Sequence, residues 1–288
     1  MRLVMAVSLL LLYGLAVFLA GLVGGWLPRR LHMTHTRTQL TMSFVAGLML
    51  GVAFFHLIPH SALAPSADVD FTMGWVVVGL VFMLLLLRLF HFHQHDFAAA
   101  DGSCEHTGAD QHPHEHAHEH AHAQAPRGPF TWLGLVFGLS VHTMIDGIAL
   151  GAVMRATPET GAGLLGIGVF LAILLHKPLD ALSIETVMAA AGQPVRHRHY
   201  INLAFAALCP ITAWLFWLAV DPGLGLGTLL PAALAFSAGA FICIALGDLL
   251  PEVQFHSHDR LKLTLLFAIG IAIAWGIGMF EPSHSHLV

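Results

Sequence analysis

Two histidine–aspartate pairs, His142 with Asp146 in "VHTMIDGIALG" and His176 with Asp180 in "HKPLDALS", are each four residues apart inside long apolar stretches. On a helix that interval is about one turn, so both side chains of a pair leave from one face. Two such helices facing each other offer two imidazoles and two carboxylates. This nitrogen and oxygen set suits Zn2+, and also Fe2+, Mn2+ or Co2+. A dication cancels both carboxylates, which answers an energetic difficulty. Each ionised group in a lipid-spanning helix costs about 2.5–3.5 kcal/mol on insertion scales. The other reading of either pair is a structural hydrogen bond between helices; two pairs on consecutive helices weigh against it. Pro178 cannot donate to its helix and frees the carbonyl of Leu174. Freed backbone oxygens at membrane depth are tolerated where they line a cavity. Gly147 and Gly151 form a small-xxx-small face that lets another helix approach closely.

The elements that must hold these pairs are membrane spans. Of 288 residues, 57% are hydrophobic and 10% charged, and mean hydropathy is +0.76. A soluble domain carries about 25% charged residues, so this chain cannot clothe itself in water. A bilayer core takes about 20 apolar residues per helix, and windows of that length fall near 4–27, 39–60, 71–92, 130–153, 161–190, 199–219, 228–252 and 261–281. Arg2 before an apolar run permits a signal peptide, but the run is long and ends in "PRR", which reads as a retained helix. The expected fold class is therefore an all-α integral membrane protein with eight transmembrane helices. Its organisation is spans one to three over 1–92, a loop over 93–129, spans four and five over 130–191, and spans six to eight over 192–288.

Basic residues set the orientation. Arg29, Arg30, Arg37, Arg88, Arg127, Arg196, Arg198, Arg260 and Lys262 fall on one side of the spans, against Arg2 and Arg155 on the other. Both termini are expected outside, with the 93–129 loop in the cytoplasm. Lys177 belongs to neither side and lies within a span. The formal net charge of −5 gives no reason to expect a nucleic-acid partner. Cys104, Cys209 and Cys243 are scattered and make no disulfide framework.

An internal repeat is legible. "AGLMLGVAFFHLIPH" (46–60) aligns without gaps on "AGAFICIALGDLLPE" (238–252), with five identities. The second and seventh spans run in opposite directions, so the repeat is inverted, as in many transporters with midplane sites. It also pairs His56 and His60 at one mouth with Asp248 and Glu252 at the other. These four could hand a metal in and out, or cap their helices. His256 and His258 could extend the inner route, or simply be solvated.

Residues 91–129 hold ten histidines, including His112, His114, His116, His118, His120 and His122 in "HPHEHAHEHAH". Such low-complexity sequence is expected to be disordered and to bind metal weakly, as a buffer near the exit. H-E-x-x-H occurs there twice, from His114 and from His118. It is a by-product of alternating residues rather than a zincin helix, so the chain is not expected to be an enzyme.

"HTMIDGIALG" and "HKPLDALS" resemble the fourth- and fifth-helix signatures of the ZIP family of divalent-metal transporters, and "SAGAFICIALGDLLPE" resembles its seventh helix. The resemblance covers nearly the whole chain. It implies uptake of zinc and related ions toward the cytoplasm, a 3+2+3 inverted-repeat arrangement, and a site-carrying bundle that slides against a scaffold. Two positions depart from the pattern. Many members have Asn where this chain has Thr143, and an acid or amide where it has Lys177; there these residues help hold a second metal. A charged lysine has three donors and no lone pair. The expectation is one central metal on His142, Asp146, His176 and Asp180, with Lys177 standing where a second cation would be, as in a branch of the family with "HK". An alternative for Lys177 is a structural ion pair to Glu185 or Asp146. Asp146, Asp180 and Lys177 sum to −1, so a dication leaves +1 unless Glu185 joins or Lys177 releases its proton.

The expected function is import of a divalent metal, zinc first and Fe2+, Mn2+, Co2+ or Cd2+ as other candidates, with no organic cofactor. The alternative is a proton-coupled exporter of the cation-diffusion-facilitator type, where H-x-x-x-D also occurs on two helices. Expected partners are the metal ions, the lipid bilayer and a second copy in a homodimer. The expected location is the plasma or cell inner membrane.

Overall fold

The computed structural model describes residues 2–26, 35–90, 131–156, 166–220, 227–249 and 260–280. The described residues are almost wholly helical and contain no strand. The helices are α1 (Arg2–Trp26), α2 (His35–Val52), α3 (Ile58–Ala62), α4 (Val69–Phe90), α5 (Thr131–Ala156), α6 (Ile167–Ala190), α7 (Val195–Ala219), α8 (Leu229–Ile244) and α9 (Arg260–Phe280). A π-helical turn, Ala53–Leu57, joins α2 to α3 into one span, and a second, Ala245–Leu249, extends α8. Eight helices are then long and apolar enough to cross a membrane. They correspond to the eight expected windows. The sixth starts at Val195, four residues earlier than its window, because Pro194 at its N-cap sets an extended backbone before the first turn.

Helix pairing sorts the spans into two groups. One contains α1, α5, α6 and α7, with α5 against α7 and α1 wedged against α6 and α7. The other pairs α2 with α9 and α4 with α8. The groups meet chiefly where α5 touches α8 and α2 touches α6. Lipid tails are as apolar as leucine, so such helices associate through close packing rather than hydrophobic burial. Accordingly the exposed faces of α1, α4 and α9 are rich in leucine, valine and isoleucine, while alanine and glycine fill the contacts.

The closest contacts repeat themselves. A Cβ on Gly47 of α2 would run into the backbone of Phe267 on α9; a Cβ on Gly239 of α8, 192 positions on, would run into Val76 on α4. The reciprocal contacts match as well, Gly270 against Phe44 and Gly79 against Phe236. The likeness read from 46–60 and 238–252 thus extends to α4 and α9, whose sequences show it poorly. Gly239→Val should force these backbones apart at a cost of about 1–3 kcal/mol, read as a lower melting temperature in detergent. A melting curve like wild type would mean the crossing gives way easily.

The π-turns also fall at matching positions of the repeat, and Pro59 and, in sequence, Pro251 follow each. Proline lacks the N–H that the carbonyl four residues back would receive. A one-residue bulge just before it fits that break. Such bulges gather at functional places in helices.

Candidate metal centre

The site is made where α5 and α6 face each other. His142 and Asp146 lie one turn apart on α5, and His176 and Asp180 one turn apart on α6. One ligand atom from each of the four lies within 4.8 Å of all the others. His142 Nε2 is 3.6 Å from Asp146 Oδ2 and 3.7 Å from Asp180 Oδ2. His176 Nε2 is 3.2 Å and 3.8 Å from the same two oxygens. Tetrahedral zinc with bonds near 2.05 Å spaces its ligands about 3.3–3.4 Å apart. The four histidine–aspartate distances bracket that value, and every pair among the four ligand atoms lies within 4.8 Å, so the group closes on an ion by drawing inward.

The tautomer of His176 fits the same purpose. Its Nδ1 donates to Ala172 O at 2.7 Å, which fixes the ring and, in the neutral form, turns the Nε2 lone pair toward Asp146. Metal-binding histidines are oriented by such outer bonds. Two acceptors then stand 3.2 Å apart, an arrangement a cation between them reconciles. Asp146 Oδ1, Asp180 Oδ2 and His142 Nδ1 are buried with no hydrogen-bond partner among the described residues. Buried polar atoms are rarely left so.

Lys177 is wholly buried. Its ammonium donates to Thr143 Oγ1 at 2.5 Å and lies 3.5 Å from Asp146 Oδ2 and 3.7 Å from Asp180 Oδ2. The ring of Phe205 covers it, 4.6 Å from nitrogen to centroid, a cation–π contact that partly replaces lost hydration. Lysine therefore pairs with both site carboxylates. The pairing with Glu185 considered from sequence is not found; Glu185 is buried on Arg198, 3.1 Å away, so it does not enter the cage either. Pro178 sits where the backbone of α1 comes closest: a Cβ on Gly24 would strike it.

His56 and His60 are buried but do not join the four-residue group. His56 Nε2 donates to Ala274 O of α9 at 2.8 Å, and His60 Nδ1 donates to His56 O at 2.7 Å. Asp248 belongs to the second π-turn, with its side chain outside the described residues. Glu252, His256, His258 and the histidines from His112 to His122 lie outside them altogether. Sequence reasoning missed Ala172 O, Phe205 and Arg198. The first two carry no chemical signal, and in sequence the third reads only as a topology charge.

A sequence model described as "ZIP Zinc transporter" matches residues 2–278. The chain belongs to the ZIP family. Among curated ZIP proteins, "Zinc transporter ZIP9" of Xenopus tropicalis is 26% identical over 288 residues, covering 86% of each chain. "Zinc transporter ZIP9" of Macaca fascicularis is 34% identical over 127 residues, 43% of this chain and 52% of that protein. "Zinc transporter foi" of Drosophila melanogaster is 32% identical over 149 residues, 51% of this chain and 19% of that protein. ZIP proteins are transporters and not enzymes, and with eight apolar spans this one is an integral multi-pass membrane protein. ZIP membership does not favour the cation-diffusion-facilitator alternative.

Proposed function

We propose that this protein carries zinc across the membrane into the cytoplasm through a centre formed by His142, Asp146, His176 and Asp180 near the middle of the bilayer. The observation that carries the reading is the buried group of four ligand atoms, all within 4.8 Å of one another and with histidine–aspartate distances of 3.2–3.8 Å. Depth follows from position in the helices. His142 is the twelfth residue of the 26 in α5, and His176 the tenth of the 24 in α6. The curated relatives carry zinc in their names, and the import direction is the one the ZIP resemblance implies. One metal binds, because Lys177 supplies a tethered positive charge beside it. The repeated crossings of α2 on α9 and α8 on α4 support a 3+2+3 inverted repeat. The division into two groups of spans supports a site-carrying bundle that moves against a scaffold. His56 and His60 would serve the outer mouth, and Asp248 and Glu252 the inner one.

Purified protein in liposomes, offered Zn2+, Fe2+, Mn2+, Co2+ and Cd2+ in turn, should accumulate zinc. His142→Ala and Asp180→Ala should not; unchanged flux in both would remove the centre.

The loop over 93–129 would buffer metal at the exit rather than form the path. A protein lacking it should still transport, with a maximal rate within about twofold of wild type, since weak exchanging imidazoles add no barrier at the centre. Complete loss of uptake would place the loop in the path.

A further inference from the structure

Two imidazoles and two carboxylates attract several dications, so something beyond the ligand set must choose among them. Zinc takes four ligands in a tetrahedron, whereas Mg2+, Ca2+ and Mn2+ favour shells of six or more oxygens. Reaching such a shell here would take waters, or the second oxygens of Asp146 and Asp180. Lys177 stands against both. Its ammonium approaches the same oxygens that the imidazoles approach, Oδ2 of Asp146 at 3.5 Å and Oδ2 of Asp180 at 3.7 Å. A carboxylate that swung round to offer both oxygens would carry Oδ2 away from the ammonium. A metal-bound water entering over the Asp146–Asp180 edge would turn its hydrogens outward, toward a group with three donors and no lone pair.

The ammonium is not free to step aside. Thr143 Oγ1 of α5 accepts from it at 2.5 Å, and the ring of Phe205 covers it. The stem below is wedged between helices. A Cβ on Gly21 of α1 would touch Ala206 of α7 at 3.0 Å and Lys177 Cγ at 3.7 Å. Phe205 itself packs with Ala181, Ile184 and Met188, apolar side chains that offer a metal-bound water no acceptor.

We propose that Lys177 is a specificity-determining residue, holding the centre to four ligands so that it selects zinc over dications that need a six-oxygen shell. The inference rests on the transport centre proposed above and says how that centre chooses its ion. Thr143 and Phe205 are positioning residues, acting through the ammonium.

Cobalt reports coordination number directly, because four-coordinate Co2+ absorbs visible light far more strongly than six-coordinate Co2+. The full chain in detergent is loaded with Co2+, and the spectrum of His142→Ala is subtracted to remove the loop histidines. Wild type should show the intense four-coordinate bands. Lys177→Ala opens room for water beside the carboxylates, so its bands should weaken to those of a higher coordination number. Its preference for Zn2+ over Mn2+, measured by competition, should fall about tenfold or more, as when a group behind the ligands is lost. Zinc outranks manganese on most such sites, so only the fall is read. Thr143→Val keeps the charge but unties it and should move both readouts the same way by less; it decides the matter if Lys177→Ala does not fold. Intense four-coordinate bands with an unchanged preference in the variants overturn the inference, as does a weak six-coordinate spectrum in wild type. A wild-type spectrum identical to that of His142→Ala would instead remove the centre itself, and the inference with it.

Discussion

His176→Ala should reduce zinc flux in proteoliposomes to the level of empty vesicles, a loss on the order of 100-fold or more. Removal of a group that merely orients a metal ligand already costs about 10–100-fold, and here the ligand itself goes. His176 Nε2 makes the shortest approach to a site carboxylate, 3.2 Å to Asp146, and its ring is locked by Ala172 O. Alanine leaves three donors and an opening on the α6 side of the cage. His197 is the control. It is a histidine of the same protein that pairs with Gln193 and packs on Trp132, so His197→Ala should leave flux unchanged. Equal flux in His176→Ala and wild type would mean that zinc takes another route.

Lys177→Met should make folding depend on metal. The substitution keeps the length and apolar stem of the side chain but leaves Asp146 and Asp180 facing each other without a cation. Breaking a buried ion pair by removing one partner costs about 3–5 kcal/mol. The expected result is a melting temperature in detergent well below wild type without zinc, recovering toward it as zinc rises. The gain arises because an ion bound only to the folded state stabilises it by mass action. Wild type, whose ammonium already lies 3.5 Å and 3.7 Å from the two carboxylates, should respond less. A variant melting like wild type with and without zinc would show that Lys177 is not the counter-ion. One that folds and binds metal normally yet transports nothing would give Lys177 a part in the transport step itself.

The spans and the two facing pairs were legible in the sequence because both depend on local spacing. Span length follows from the run of apolar residues, and an interval of four puts His142 beside Asp146 whatever else the chain does. The partner of Lys177 was legible only as a choice. Glu185 and Asp146 both offer a lysine a carboxylate on paper, but Glu185 stands eight residues and about 12 Å further along α6, where Arg198 of α7 takes it. Arg198 illustrates the limit more sharply. In "RHRHY" it reads as a topology charge in water, yet its side chain is 15% exposed and spent on a carboxylate. The glycine crossings of α4 and α9 were hidden because equivalent positions there share little beyond glycine. Only the approach of two backbones reveals them.

The paired π-turns have a consequence for the ancestry of the chain. A π-turn holds one residue more than the α-turn it replaces, so everything after it is rotated by roughly 100° relative to an uninterrupted helix. An insertion of that kind is tolerated where the new register suits its neighbours. Two such insertions at corresponding positions, in Ala53–Leu57 and Ala245–Leu249, are most simply inherited from one ancestral half that already carried the extra residue before it was duplicated. Removing one residue ahead of His56 in the first turn would reverse that step on one side only, swinging His56 away from Ala274 O of α9.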